Sequence, residues 1–93
     1  MAKITWTNRS LKDIKTIYDF ISNDSPYYAS RFIYKLTWRV NQLEEFPESG
    51  RVVPEKENPQ IRELIEGNYR IFYKLLRGQV TILRIHNSAR KIK

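Results

Sequence analysis

Besides Arg77, five arginines and the only histidine crowd the last 43 of 93 residues. They stand as Gly-Arg at 50–51, Arg-Glu-Leu-Ile at 62–65, Gly-Asn-Tyr-Arg-Ile-Phe-Tyr at 67–73, Val-Thr-Ile-Leu-Arg-Ile-His at 80–86 and Ser-Ala-Arg at 88–90. Arginine presents a planar fork of donors that matches phosphate, and histidine exchanges a proton near neutral pH. Phosphate binding and proton transfer are therefore the chemistries to test. Residues 1–50 carry seven Lys/Arg against six Asp/Glu, a charge of +1; residues 51–93 carry ten against four, a charge of +6. A one-sided excess of this size favours a polyanion or an acidic protein as partner.

Other chemistries lack their residues. The chain has no cysteine, so it has neither a disulfide framework nor a thiolate site. There is no Gly-rich phosphate loop and no metal-spaced His/Cys cluster. A lone histidine serves poorly for a Ser-His-Asp set. We expect no metal and no cofactor. The first residues do not read as a signal peptide and no apolar run nears membrane-spanning length, so the expected location is cytoplasmic, away from the membrane.

The elements that must position these residues follow from periodicity. Lys3-Ile4-Thr5-Trp6 suits a strand, with Ile4 and Trp6 on one side. Thr7, Asn8 and Ser10 offer capping side chains, and Leu11, Ile14, Ile17, Tyr18 and Ile21 recur at helical spacing until Asn23-Asp24. Ser25-Pro26 restarts the chain as a second helix, with Ala29, Phe32, Ile33, Leu36, Val40 and Leu43 as its apolar stripe and Phe46-Pro47 and Gly50 as its end. The join is short, so the helices should form an antiparallel hairpin that buries both stripes. Residues 51–60 read as loop. Strands should follow at about 61–66, 69–76 and 79–86, with tight turns at Gly67-Asn68 and Arg77-Gly78, then a basic tail, 90–93. The length and the absence of a linker predict a single domain, 1–93.

This order of elements resembles the RelE/ParE superfamily of toxins from bacterial type II toxin–antitoxin systems. The likeness covers nearly the whole chain. It rests on Phe46-Pro47-Glu48-Ser49-Gly50-Arg51, Arg62-Glu63-Leu64-Ile65, Gly67-Asn68-Tyr69-Arg70-Ile71 and His86-Asn87-Ser88-Ala89-Arg90, whose order and spacing carry more weight than any one piece. The resemblance implies an α+β fold, an N-terminal strand and helical hairpin packed on a small twisted antiparallel sheet. It also implies a cognate antitoxin that wraps the toxin with an extended segment. RelE-like members cleave messenger RNA on the ribosome without a metal; ParE-like members inhibit DNA gyrase. The wording around 50–73 resembles the ParE-like branch or the large uncharacterised group between the branches, and the late histidine resembles that of some RNA-cleaving members.

Metal-free RNA cleavage needs a base for the 2′-hydroxyl, a cation for the phosphorane and an acid for the leaving oxygen. Glu63, Arg70 and His86 are the candidates, with Arg51, Arg62, Arg84 and Arg90 as phosphate or RNA contacts. A turn at Gly67-Asn68 pairs Glu63 with Phe72 and so puts Glu63 and Arg70 on one face. The last hairpin decides the rest. A two-residue loop, 77–78, pairs Leu76 with Gln79 and sends His86 to the opposite face. A three-residue loop, 77–79, pairs Leu76 with Val80, gathers Arg70, Arg84 and His86 on Glu63's face and puts Leu83 and Ile85 in the core. The second is preferred for its cleaner core face, since one residue of register reverses the outcome.

Each member has an ordinary structural alternative: a cross-strand salt bridge for Glu63, a structural or antitoxin-binding role for Arg70, a hydrogen-bonded strand-end residue for His86, pinning of loop and tail for Arg51 and Arg90. Against cleavage, Asn87 and Ser88 stand where many RNA-cleaving members have a Tyr, and only Lys56 stands in 51–62 where RelE enzymes carry several lysines. The functions carried forward are a toxin acting on the ribosome with its messenger RNA, a toxin acting on gyrase, or a non-catalytic binding module descended from a toxin.

Overall fold

The computed structural model describes residues 1–88; Arg90 and the rest of the basic tail lie outside them. In chain order the elements are β1 (Lys3–Trp6), α1 (Asn8–Ser22), α2 (Pro26–Asn41), a 3-10 turn (Gln42–Glu44), β2 (Arg51–Val52), β3 (Ile61–Glu66), β4 (Tyr69–Leu76) and β5 (Gln79–Asn87). The helical hairpin packs on one face of a five-stranded sheet of order β1-β5-β4-β3-β2. The sheet is mixed: β1 runs parallel to β5, and the other neighbours are antiparallel. The expected α+β fold, a helical hairpin on a small antiparallel sheet, is there, and the N-terminal strand extends that sheet in parallel at its β5 edge. From β1 the chain passes through both helices, enters the sheet at its far edge with β2, and comes back across it through β3 and β4 to β5, which runs in the direction of β1.

Both helices start where their capping residues place them. The Thr7 hydroxyl accepts from the Ser10 N–H (3.1 Å) and donates to the Ile82 carbonyl (2.8 Å), so the cap of α1 is also its tie to β5. The Ser25 hydroxyl accepts from Tyr28 N–H, with Pro26 opening α2. The core gathers Ile17, Leu36, Val40, Leu43, Leu64, Ile71, Tyr73, Val80, Ile82 and Ile85. Leu11 and Tyr18, expected in the stripe of α1, are exposed instead. Ser10 is fully buried in their place, its hydroxyl bonded to the Thr7 carbonyl. A small residue at that position turns the helix so that Ser10, Ile14, Ile17 and Ile21 face inward.

Residues 51–60 are not all loop, since Arg51 and Val52 pair with Glu63 and Arg62 as a short edge strand. The chain reaches it through a pinned corner. Tyr73, buried on β4, accepts from the Gly50 N–H (3.0 Å) and donates to the Pro47 carbonyl (2.7 Å). A Cβ on Gly50 would stand 2.6 Å from the Tyr73 hydroxyl and 2.7 Å from the Glu63 carbonyl oxygen. No side chain fits between them, which is the physical reason for glycine in Pro-Glu-Ser-Gly-Arg.

The last hairpin differs from the preferred reading in an instructive way. Its loop has two residues, Arg77 and Gly78, both left-handed, and Leu76 pairs with Gln79. The pairing then slips between Phe72 and Tyr73: Tyr73 faces Ile82, whereas Phe72 faces Arg84. Leu83 is the extra residue of a β-bulge. Below the bulge Arg70 faces His86, the register that the longer loop was expected to produce. The core residue of this stretch is Ile82, and Leu83 turns out to the other side, a correction to its expected place.

Candidate functional site: a basic face with a buried carboxylate

The sheet face turned away from the helices carries Arg51, Glu63, Arg70, Arg84 and His86. Cross-strand pairing sets Arg51, Glu63, Phe72 and Arg84 in one row, and Ile65, Arg70 and His86 in the next. An open cleft of about 570 Å³ runs along β4 and β5 beside Arg70, Phe72, Leu83, Arg84 and His86, with Lys56 at its margin.

Glu63 lies at the centre of a four-member ion network. Its side chain is fully buried (0% exposed); Oε1 accepts from Arg70 Nε and Oε2 from Arg51 Nε, each at 2.5 Å. Burial works to raise its pKa. The bonds from Arg70 and Arg51, with their charges, outweigh burial and hold the carboxyl below the usual glutamate range. Arg70 completes its fork with Glu55, whose two oxygens accept from Nη1 and Nη2 at 3.2 Å. The Arg70 guanidinium also lies 4.8 Å from the centre of the Phe72 ring. Its bonds to Glu63 and Glu55 hold its proton more firmly than in free arginine.

His86 meets the Phe72 ring edge-on, with centroids 5.7 Å apart. Partial burial, then the positive charges of Arg84, Arg70 and Arg9, lower its pKa; only Asp13 opposes them. These surroundings favour the uncharged imidazole at neutral pH. In that form it accepts a proton more readily than it gives one up.

Arg84 reaches round the edge of β5 to α1. The β1 pairing ends at Trp6–Ile82, and α1 covers the strand beyond. Asp13 Oδ2 accepts from the Ile85 N–H (2.9 Å) and from Arg84 Nε (3.0 Å), satisfying an amide that no strand pairs on that side. Arg62 is on the other face. Its Nη1 donates to the carbonyls of Gly50 (2.7 Å) and Glu48 (3.2 Å), which assigns it to the pinned corner and separates it from the phosphate-binding set expected for it. Thus the fold brings together Arg51, Glu63, Arg70, Arg84 and His86, and not Arg62. Asp13 and Glu55 were missed. Asp13 looks like one half of an ordinary i, i+4 pair with Arg9, and Glu55 like one charge among several in a loop. Among the described residues no group of His, Asp or Glu is arranged to hold a metal ion, and no helix is long and apolar enough to cross a membrane.

Two helices on one face of a mixed five-stranded sheet, with a basic opposite face, define an α+β toxin-like domain. Residues 4–92 match the family described as ParE toxin of type II toxin-antitoxin system, parDE. The chain belongs to this family and is the toxin of a type II toxin–antitoxin system. It is 37% identical over 91 residues to Toxin RelE2 of Caulobacter vibrioides, covering 97% of this chain and 99% of the relative. Its fold resembles that in the chromosomal ParDE toxin–antitoxin system of P. aeruginosa (TM-score 0.77, 24% identity, 94% of this chain and 96% of that one). It also resembles a chain of the RelBE2 toxin–antitoxin complex of Mycobacterium tuberculosis (TM-score 0.64, 17% identity, 92% and 96%).

Proposed function

We propose that this toxin arrests growth by binding and inhibiting DNA gyrase, without cutting messenger RNA, and that a cognate antitoxin neutralises it in the cytoplasm. The observation that carries the reading is the state of Glu63. A general base must reach the proton it removes. Glu63 is buried, both its oxygens are occupied, and its basicity is lowered by the arginines that hold it. It is an orienting group for Arg51 and Arg70, which it fixes on the open face as a binding surface. The surroundings of His86 disfavour its cation, which makes it a poor starting acid. The absence of a Tyr at 87–88 points the same way. The antitoxin follows from the family, from the +6 charge of residues 51–93, which suits an acidic segment, and from the two similar folds, each solved from a toxin–antitoxin system.

One observation favours the ribonuclease as a second reading. Arg70, Arg84 and His86 share a cleft, and a neutral imidazole in it could activate a 2′-hydroxyl while the arginines receive the phosphorane charge.

The test is induced expression in bacteria of wild type and His86→Ala, with growth, messenger RNA ends and plasmid supercoiling read together. Growth arrest with intact RNA and altered supercoiling in both forms is the expected result. Phased RNA cleavage that disappears in the variant would replace the gyrase reading with the ribonuclease.

A further inference from the structure

Two carboxylates hold Arg70, and they differ in how firmly. Glu63 takes Nε from within the sheet; it is buried and shared with Arg51, so it stays. Glu55 takes the outer pair, Nη1 and Nη2, with its two oxygens at 3.2 Å each. This parallel two-point contact is the one by which arginine binds a phosphate group. Glu55 belongs to the segment between β2 and β3, and its side chain is 61% exposed. The segment is held by bonds of its own: Val53 N–H to the Ile61 carbonyl, Lys56 N–H to the Val53 carbonyl, and Ile61 N–H to the Asn58 carbonyl. None of these requires the Glu55 side chain to stay on Arg70. An exposed ion pair of this kind holds weakly and gives way to a competing anion or to salt.

What stands around the fork defines the competitor. Arg84 and Lys56 add positive charge to the cleft, and the Phe72 and His86 rings supply aromatic surface beside it. Cations and rings side by side suit a phosphodiester with an unpaired base next to it, as in a single-stranded nucleic acid. An acidic peptide would use the cations and leave the rings without a role.

We propose that Glu55 is a built-in competitor: its carboxylate occupies the Arg70 fork in the free toxin and yields it to a phosphodiester of a single-stranded nucleic acid entering the cleft. The proposal goes beyond the function above, because it concerns what the cleft binds and holds for either growth-arrest target. Glu55 sets the threshold for that binding, and the fork is exposed only when a stronger anion arrives.

The experiment is fluorescence anisotropy at low salt with a short labelled single-stranded RNA of mixed sequence and the full chain. It compares wild type, Glu55→Gln, Glu57→Gln, Arg70→Lys and the Glu55→Gln/Arg70→Lys double variant. Glu57→Gln removes the same charge from the same segment. Arg70→Lys keeps the charge and loses the fork. Thermal melts confirm that each variant is folded. Glu55→Gln should tighten binding about threefold to fivefold, the range open to an exposed ion pair. Glu57→Gln should stay near wild type, and the gain should vanish in the Arg70→Lys background. Equal gains from both Gln variants, no gain from Glu55→Gln, or a gain that survives Arg70→Lys would overturn the proposal. A gain confined to a poly-glutamate probe tested in parallel would overturn it too, by showing that the fork serves an acidic protein partner.

Discussion

Replacing Glu63 by Gln leaves the shape of the side chain and removes its charge, and the structure sets the size of the effect. Two charge-assisted bonds are lost or weakened, and a bond to a charged group is worth about 1.5–3 kcal/mol net. The Gln carbonyl can still accept from one arginine, but its NH2 then faces the other donor to donor. Removing one partner of a fully buried pair costs about 3–5 kcal/mol. Here the arginines can rehydrate, Arg51 at 62% exposure readily and Arg70 at 23% only in part. The estimate is therefore about 2–3 kcal/mol, with Arg70 supplying most of it. For a domain of this size that lowers Tm by roughly 10–20 °C. Acid should shrink the difference. The folded pKa of Glu63 lies below its ordinary 4.5, so between the two values the unfolded chain binds more protons. The contribution is complete above the ordinary value and is lost as pH falls through the folded one. Circular dichroism melts of both forms at neutral pH and at successively lower pH measure this. A neutral-pH loss under about 4 °C would refute the view that this buried carboxylate organises the face.

Gly50→Ala should cost about 1–3 kcal/mol by overpacking against Tyr73 and the Glu63 backbone, read as a drop in denaturant midpoint at unchanged slope; an unchanged midpoint would contradict the close approach at the corner. His86 should titrate by NMR with a midpoint below 6.5, because burial and the neighbouring arginines disfavour its cation; a midpoint at or above that value would reverse its assignment as neutral. Its lowered pKa also means that the unfolded chain binds the extra proton first, so stability should fall as pH drops below about 6.5. Asp13→Ala should strip the Ile85 amide of its acceptor and release Arg84, costing about 1–3 kcal/mol. Hydrogen exchange at Ile85 should speed up by tenfold or more if that cost is paid locally, and unchanged exchange would mean that another group covers the strand edge.

Much of this protein was legible in the chain because local physics is strong there. Ser25-Pro26 starts α2 as a capping Ser before Pro dictates. The strands at 61–66 and 69–76 have the expected bounds, and Gly67-Asn68 joins them. Alternation along those strands put Glu63 and Arg70 on one face before any coordinates were needed. The sequence also carried the family, because the glycine at 50, the arginines and their spacing each answer to a fixed point in the fold.

Tertiary structure alone decided the site. The two-residue turn taken by itself sends His86 to the helix side. The bulge at Leu83 restores the face, and it exists because Ile82 and Ile85 must both reach the core while Thr7 and Asp13 hold the strand on either side of the slip. No periodicity marks an extra residue, since its cause is packing between elements some 70 positions apart in the chain. The same holds for charge. Glu63 reads in sequence as a possible base or as a salt-bridge partner across the sheet, and Glu55 as one solvated loop residue among several. Only the fold buries Glu63, decides its pairing with Arg70, adds Arg51 to it and brings Glu55 across to the outer fork. Pairing between charges depends on distance in space, which spacing along a chain does not record.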